Sequence, residues 1–346
     1  MPPPMESAPL LVREPLEDFL DEHGIGVGAL EAERVGDGHS NVNFLLTRGD
    51  ARVVLRRPPR PPLPPSAHDV LREARLLGAL AATEVRVPPV LATCDDESVI
   101  GAPFYVMEEM RGTVASAEVP PALDDPAEHR RISEELVDRL VEVHAVDWRA
   151  AGLEWLGKPT GYLERQVRRF GDLWEHNKTR RLPVVEEVRD WLAANLPESS
   201  DATIVHGDYR LGNVMLAGEA PARIVAIFDW ELSTIGDPLA DVGYLTVTWA
   251  EAGDPGDGVF ASLSAATRGE GFMSREELVA RYEERRGRPV SALEWYQALA
   301  LWKAAVFMEG NYKRFTMGAS DDEYLARFDE EVPRLADRAR EITRTG

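Results

Sequence analysis

Thr203-Ile204-Val205-His206-Gly207-Asp208-Tyr209-Arg210-Leu211-Gly212-Asn213-Val214-Met215-Leu216 is the stretch on which the reading of this chain turns. Thr203–Val205 is a short apolar run with the character of a buried strand, and it ends at His206. Gly207 and Asp208 follow, with Asn213 five positions after the acid. Val214–Leu216 and Arg223–Phe228 are β-rich runs joined by the Gly- and Pro-containing residues 217–222, which predicts a hairpin. Asp229-Trp230-Glu231 stands at the end of the second run. The pattern carries two carboxylates and a carboxamide to the mouth of a small sheet.

Phosphoryl transfer from ATP needs such a set. Its chemistry is mostly positioning and charge neutralisation, with a carboxylate to orient the acceptor hydroxyl and oxygen ligands for Mg²⁺. An acid, an Asn five residues on and a second acid at a later strand end follow the order of a kinase catalytic loop.

Composition narrows the class. The chain has 346 residues, of which 44% are apolar and 29% charged, so two lobes or one large domain with insertions are expected. No stretch approaches the length of a membrane span, and the Pro-rich start lacks the pattern of a signal peptide. The single cysteine, Cys94, excludes an intramolecular disulfide and a cysteine-based zinc cluster. A cytoplasmic location is expected. The net charge of −21 argues against nucleic acid as a partner. Only Lys158, Lys178, Lys303 and Lys313 among the 39 basic residues are lysines.

Working outward, a helix is expected over Pro15–His23. Leu30–Val35 and Val42–Thr47 then read as strands flanking Gly36-Asp37-Gly38-His39-Ser40-Asn41. A strand–turn–strand disfavours a dinucleotide fingerprint, which must open a helix. Small residues over a hairpin suit a lid whose backbone approaches phosphates closely. Ala51–Arg57 is a third strand, whose alternation puts Val54 and Arg56 on one face. The Pro-rich 58–65 segment predicts a stiff extended loop. Ser66 or Asp69 is a candidate cap for the helix that follows, on which Glu73 is within reach of Arg56. Val87–Ala92 and Ala102–Met107 read as strands, and Met107, Glu108 and Glu109 lead into a hinge over about 107–113. Past it the period changes from 2 to 3.6, with helices expected at 132–146, 160–177, 184–195, 237–250, 274–286, 291–315 and 321–342. His144, alone on an apolar face, reads as a satisfied core residue.

His-Gly-Asp in place of His-Arg-Asp, and Asp-Trp-Glu in place of Asp-Phe-Gly, resemble the aminoglycoside phosphotransferase-like (choline kinase-like) small-molecule kinases. Residues 54–59, 67–73, 100–108 and 309–314 resemble the branch that is fused to acyl-CoA dehydrogenases in animals. The resemblance implies a protein kinase-like α+β fold, with an antiparallel nucleotide-binding lobe over 1–108 and a mainly helical catalytic and acceptor-binding lobe over 114–346. It implies Asp208 as catalytic base with His206 bracing its loop, and Asn213 and Asp229 as Mg²⁺ ligands. It further implies ATP held by Gly36, Gly38, His39, Ser40, Asn41, Val54, Arg56 with Glu73, and Met107–Glu109. Arg56 departs from the usual lysine, and Glu109 and Met110 depart from the branch. The acceptor is expected to be a small hydroxyl compound, by the fused relatives a hydroxyacyl-CoA, near Glu231, Lys303, Lys313 and Arg314. An antibiotic kinase and a nucleotide-binding pseudokinase module are the alternatives. A monomer or homodimer without nucleic acid or membrane is expected.

Overall fold

A computed structural model describes residues 10–36, 41–60, 69–199, 201–256, 258–318 and 322–345. The chain divides into two compact units, Met1–Ala82 with Val87–Met110, and Thr83–Arg86 with Arg111–Gly346.

The smaller unit comprises α1 (Arg13–Glu22), β1 (Leu30–Val35), β2 (Val42–Arg48), β3 (Ala51–Arg57), α2 (Val70–Leu80), β4 (Val90–Cys94) and β5 (Phe104–Glu108). Its strands form one antiparallel sheet in the order β1-β2-β3-β5-β4. The β2–β3 turn requires Gly49, whose φ is +59° and whose added Cβ would press on the Val27 carbonyl at 2.8 Å. Leu16, Phe19 and Leu20 of α1 pack on Leu46, Leu55, Phe104 and Val106, with Phe19 edge-on to Phe104 at 4.9 Å. α2 starts at Asp69, whose carboxylate accepts the Arg72 N–H at 2.9 Å. That start places Glu73 in the first turn, on the buried side. Ser66 lies outside the described residues, as do 61–65 of the Pro-rich segment.

The fourth and fifth strands are shifted from expectation, to Val90–Cys94 from 87–92 and to Phe104–Glu108 from 102–107. The fourth strand begins at Val90, not Val87, because Pro88 and Pro89 have no N–H to give a ladder. The fifth ends at Glu108, one residue later than the apolar run.

The larger unit holds α3 (Pro126–Ala145), α4 (Tyr162–Asn177), α5 (Pro183–Ala194), β6 (Thr203–Val205), β7 (Val214–Leu216), β8 (Ile224–Ile227), β9 (Thr234–Gly236), α6 (Leu239–Thr248), α7 (Arg275–Arg286), α8 (Leu293–Thr316) and α9 (Phe328–Thr345). α8 packs on α4, α5, α6 and α9, and buries Trp295, Tyr296, Leu299, Trp302 and Val306. The last expected helix is divided: Glu323–Arg327 is a 3-10 turn and α9 starts only at Phe328. β7 and β8 form the expected hairpin. β6 pairs with β9, a three-residue strand that no periodicity announces. Among the described residues no helix is long and apolar enough to cross a membrane.

Candidate functional site

The loop after β6 is shaped by its backbone. Gly207 has φ +90°, and a Cβ there would meet Leu232 at 2.9 Å, so only glycine fits between His206 and Asp208. The N–H groups of His206 and Gly207 both point at Asp241 of α6, which accepts them at 2.7 and 2.8 Å. Asp241 is fully buried, and its Oδ2 also accepts His144 Nε2 at 3.1 Å. Burial alone would push its pKa up. The hydrogen bond from His144, the neighbouring His206 and the Gly207 N–H outweigh that and hold it below the usual range. His144 is thus the satisfied core residue expected, and the Tyr282 hydroxyl meets its other nitrogen at 2.8 Å.

His206 ties this loop to the end of β8. Its Nε2 donates to the Phe228 carbonyl at 2.9 Å, and its Nδ1 accepts the Asp208 N–H at 3.2 Å. It is wholly buried, so it positions and touches no ligand. The Phe228 N–H donates to the Asn213 carbonyl at 2.9 Å. Phe228 is therefore clamped on both sides, and Asp229 follows it with φ +65°, a left-handed backbone that aspartate tolerates better than most side chains. Asn213 donates its Nδ2 to Asp208 Oδ2 at 2.7 Å and to the Asp208 carbonyl at 2.8 Å. Asp208, Asn213 and the Phe228 backbone, one residue before Asp229, thus belong to one hydrogen-bonded unit.

That unit fits a magnesium ion. Both Asn213 donor contacts face inward, so its Oδ1, a hard oxygen, is left to accept. A carboxylate and a carboxamide oxygen are the donor chemistry Mg²⁺ takes, with waters and phosphates completing its octahedron.

In the smaller unit, Arg56 Nε donates to Glu73 Oε2 at 2.7 Å, as the strand and helix positions predict. The Arg56 side chain is 10% exposed and that of Glu73 2%, which makes this a desolvated pair. Register sets Val54 between Leu45 and Met107, and Arg56 between Asn43 and Tyr105. Glu109 is engaged by a fork from Arg52, with both contacts at 2.6 Å. Glu108 ends β5. Gly36 has φ +79° and Asn41 is buried, whereas Gly38, His39 and Ser40 lie outside the described residues.

The candidate acceptor residues are not gathered together. Glu231 sits in the 3-10 turn Trp230–Leu232, beside Asp229. Lys313 and Arg314 share the last turn of α8, and Lys313 donates to the His176 carbonyl of α4 at 2.6 Å. Lys303 lies over the Phe170 ring at 4.8 Å, and burial lowers its pKa to about 8. Two further groups escaped the sequence reading. Arg210 Nε stands 3.5 Å from Asp208 Oδ1, and Tyr244 of α6 has its pKa raised well above normal by burial and then by the charge of Asp208. A basic residue two positions past the acid was the available signal for Arg210. Tyr244 gave none.

Comparison with known proteins bears on this arrangement. The profile of the phosphotransferase enzyme family, APH, matches residues 31–299. Acyl-CoA dehydrogenase family member 11 of Rattus norvegicus is 33% identical over 328 residues, covering 90% of this chain. The match spans 41% of that relative's length. A Ralstonia eutropha protein named for the aminoglycoside phosphotransferases superposes with a TM-score of 0.81 at 32% identity, covering 96% of this chain and 98% of its own. A mutant aminoglycoside phosphotransferase bound to AMP-PNP and hygromycin B has a TM-score of 0.62 at 17% identity, covering 96% and 99% of the two chains, which speaks for the fold alone. An antiparallel sheet followed by a helical body is the kinase-like fold that these structures share.

Proposed function

This chain belongs to the phosphotransferase enzyme family, and we propose from that premise that it moves the γ-phosphate of ATP to a hydroxyl of a small molecule, with a hydroxyacyl-CoA as the acceptor class. The observation that carries the reading is the 2.7 Å bond from Asn213 to Asp208, inside a unit that also fixes the start of Asp229.

In this reading Asp208 accepts the proton of the attacking hydroxyl. Asn213 holds one oxygen of that carboxylate, so the proton goes to the other. Asn213 Oδ1 and Asp229 hold Mg²⁺, which when bound supplies charge neutralisation for the phosphates. Arg56, oriented by Glu73, grips phosphate oxygens, and the aliphatic strip of Leu45, Val54 and Met107 takes the adenine face. The backbone at Glu108 and Glu109 offers hinge contacts to the base edge. The acyl-CoA acceptor draws on the rat relative, although the chain matches only 41% of that protein. An aminoglycoside kinase is the second reading, favoured by the 32% identical Ralstonia eutropha protein named for the aminoglycoside phosphotransferases.

The test is labelled ATP with Mg²⁺ against hydroxyacyl-CoAs, aminoglycosides, choline and sugars. Transfer to hydroxyacyl-CoA alone is the expected result. Transfer to aminoglycosides alone overturns the acceptor assignment, and absence of any Asp208-dependent ATP turnover overturns the kinase reading.

A further inference from the structure

The catalytic loop carries a cation that the chemistry above does not use. Arg210 reaches back toward Asp208, with its Nε 3.5 Å from Oδ1 and its side chain 18% exposed. One guanidinium nitrogen also points at the Leu263 carbonyl, 3.4 Å away. The guanidinium folds over Gly212, where an added Cβ would collide with Nη1, so the glycine leaves the space that it fills. Half-buried Tyr244 shares this surrounding, its ring 6.2 Å from Phe260. Burial works against the charge on Arg210, but Asp208, Tyr244 and Asp229 together raise its pKa.

The contact with Asp208 is loose. Charge-assisted hydrogen bonds between guanidinium and carboxylate close to about 2.7–2.9 Å and often pair two by two. At 3.5 Å and through one nitrogen, Arg210 attends Asp208 without being locked to it. The Arg52–Glu109 fork, at 2.6 Å twice, shows what a locked pair in the same chain looks like.

We propose that Arg210 is a catalytic residue, an arginine finger carried within the loop itself, whose guanidinium exchanges Asp208 for the equatorial oxygens of the phosphoryl group in flight. The inference rests on the phosphotransferase reading. In the step it serves, the acceptor oxygen forms a bond to the γ-phosphorus. The bond from phosphorus to the β–γ bridging oxygen breaks, and its electron pair leaves with ADP. The acceptor's proton passes to Asp208 Oδ1, the oxygen that Arg210 vacates. Arg210 itself neither gains nor loses a proton. Its planar fork suits two oxygens at once, which a lysine ammonium does not.

A transition-state mimic tests this without knowledge of the acceptor. Binding of Mg·ADP is measured calorimetrically with and without aluminium fluoride, for the wild type, Arg210→Gln and Arg210→Lys. Transition-state mimics bind at least about 100-fold tighter than ground-state ligands, and that tightening is expected of the wild type. Arg210→Gln should lose most of it while its affinity for Mg·ADP alone stays within about threefold, and acceptor-free ATP hydrolysis should fall about 10³-fold. Arg210→Lys should keep part of the tightening, and it carries the comparison if Arg210→Gln does not fold. Full tightening in either variant overturns the proposal, as does hydrolysis that falls only in step with the melting temperature. Absence of tightening in the wild type also overturns it. Asp208-dependent ATP turnover in the same preparation would then leave the phosphotransferase reading standing.

Discussion

Arg56 and Glu73 meet side chain to side chain, at 2.7 Å, from a strand and a helix 17 residues apart in sequence. Asp208 is placed through its backbone, in a loop whose two preceding N–H groups end on one buried carboxylate. The first arrangement joins two side chains directly. The second shares its load among Asp241, His144, His206 and the clamped Phe228. A side-chain pair adjusts to a ligand by rotamer change, whereas a backbone-held loop keeps its acid fixed whatever the acceptor is. That difference suits a nucleotide grip and a proton acceptor, respectively.

The largest effect should come from removing the shared centre. Asp241→Asn presents an amide donor to N–H groups already pointing inward, and should destabilise the protein by about 3 kcal/mol as well as suppress turnover. Because the Asp241 pKa is depressed, its stabilisation is present above the ordinary carboxylate value and is lost as pH falls through the lower folded value. Chemical denaturation between pH 7 and 3 should show this acid sensitivity in the wild type and less of it in Asp241→Asn. Equal stability of the two at pH 7 would show that the loop is not held through α6.

The side-chain pair makes a milder prediction. Arg56→Lys should raise the Michaelis constant for ATP several-fold, and Glu73→Gln should reproduce part of that loss. Combined, the two changes should be less than additive, with a coupling of about 1–2 kcal/mol in a calorimetric double-mutant cycle. Zero coupling would mean that the pair does not act as one unit.

Lys303 probes a third environment. Its folded pKa of about 8 lies below the ordinary 10.5, because burial disfavours the charge more than Asp241 restores it. The unfolded chain therefore holds this proton more tightly, and stability should rise as pH climbs from about 8 to 10.5. Lys303→Met should stabilise the protein at pH 7 by about 2 kcal/mol, with the gain fading by pH 10.5. The chain has four lysines, so labelled ε-carbons can be followed singly in a titration. A Lys303 midpoint near 10.5 would contradict the buried placement.

What the sequence made legible follows from range. The acid–Asn–acid order, the hairpin and the Arg56–Glu73 pair rest on local spacing, on period 2 or on one helical turn, and they were readable. The apolar run places the fourth strand too early because it passes through Pro88 and Pro89, where hydropathy and hydrogen bonding disagree. β9 is invisible because Thr234-Ile235-Gly236 lacks the apolar run that marks the equally short β6 and β7. The partners of His144 lie 97 and 138 residues away, so only the fold reveals them. Arg210 is hidden for another reason: a basic residue in a polar loop looks the same whether it faces solvent or folds back on the acid.

In the proposed function Asp208 is the proton acceptor, carried by a loop whose backbone is held by Asp241 and His206. Asp208→Asn should keep the loop's backbone bonds, leave Mg·ATP affinity within about threefold and lower Mg²⁺-dependent ATP turnover by at least about 10²-fold, the scale of a lost general base. Calorimetry and labelled-ATP turnover on the same preparation measure both. Full turnover in Asp208→Asn would contradict the claim outright, since an amide cannot take the hydroxyl's proton.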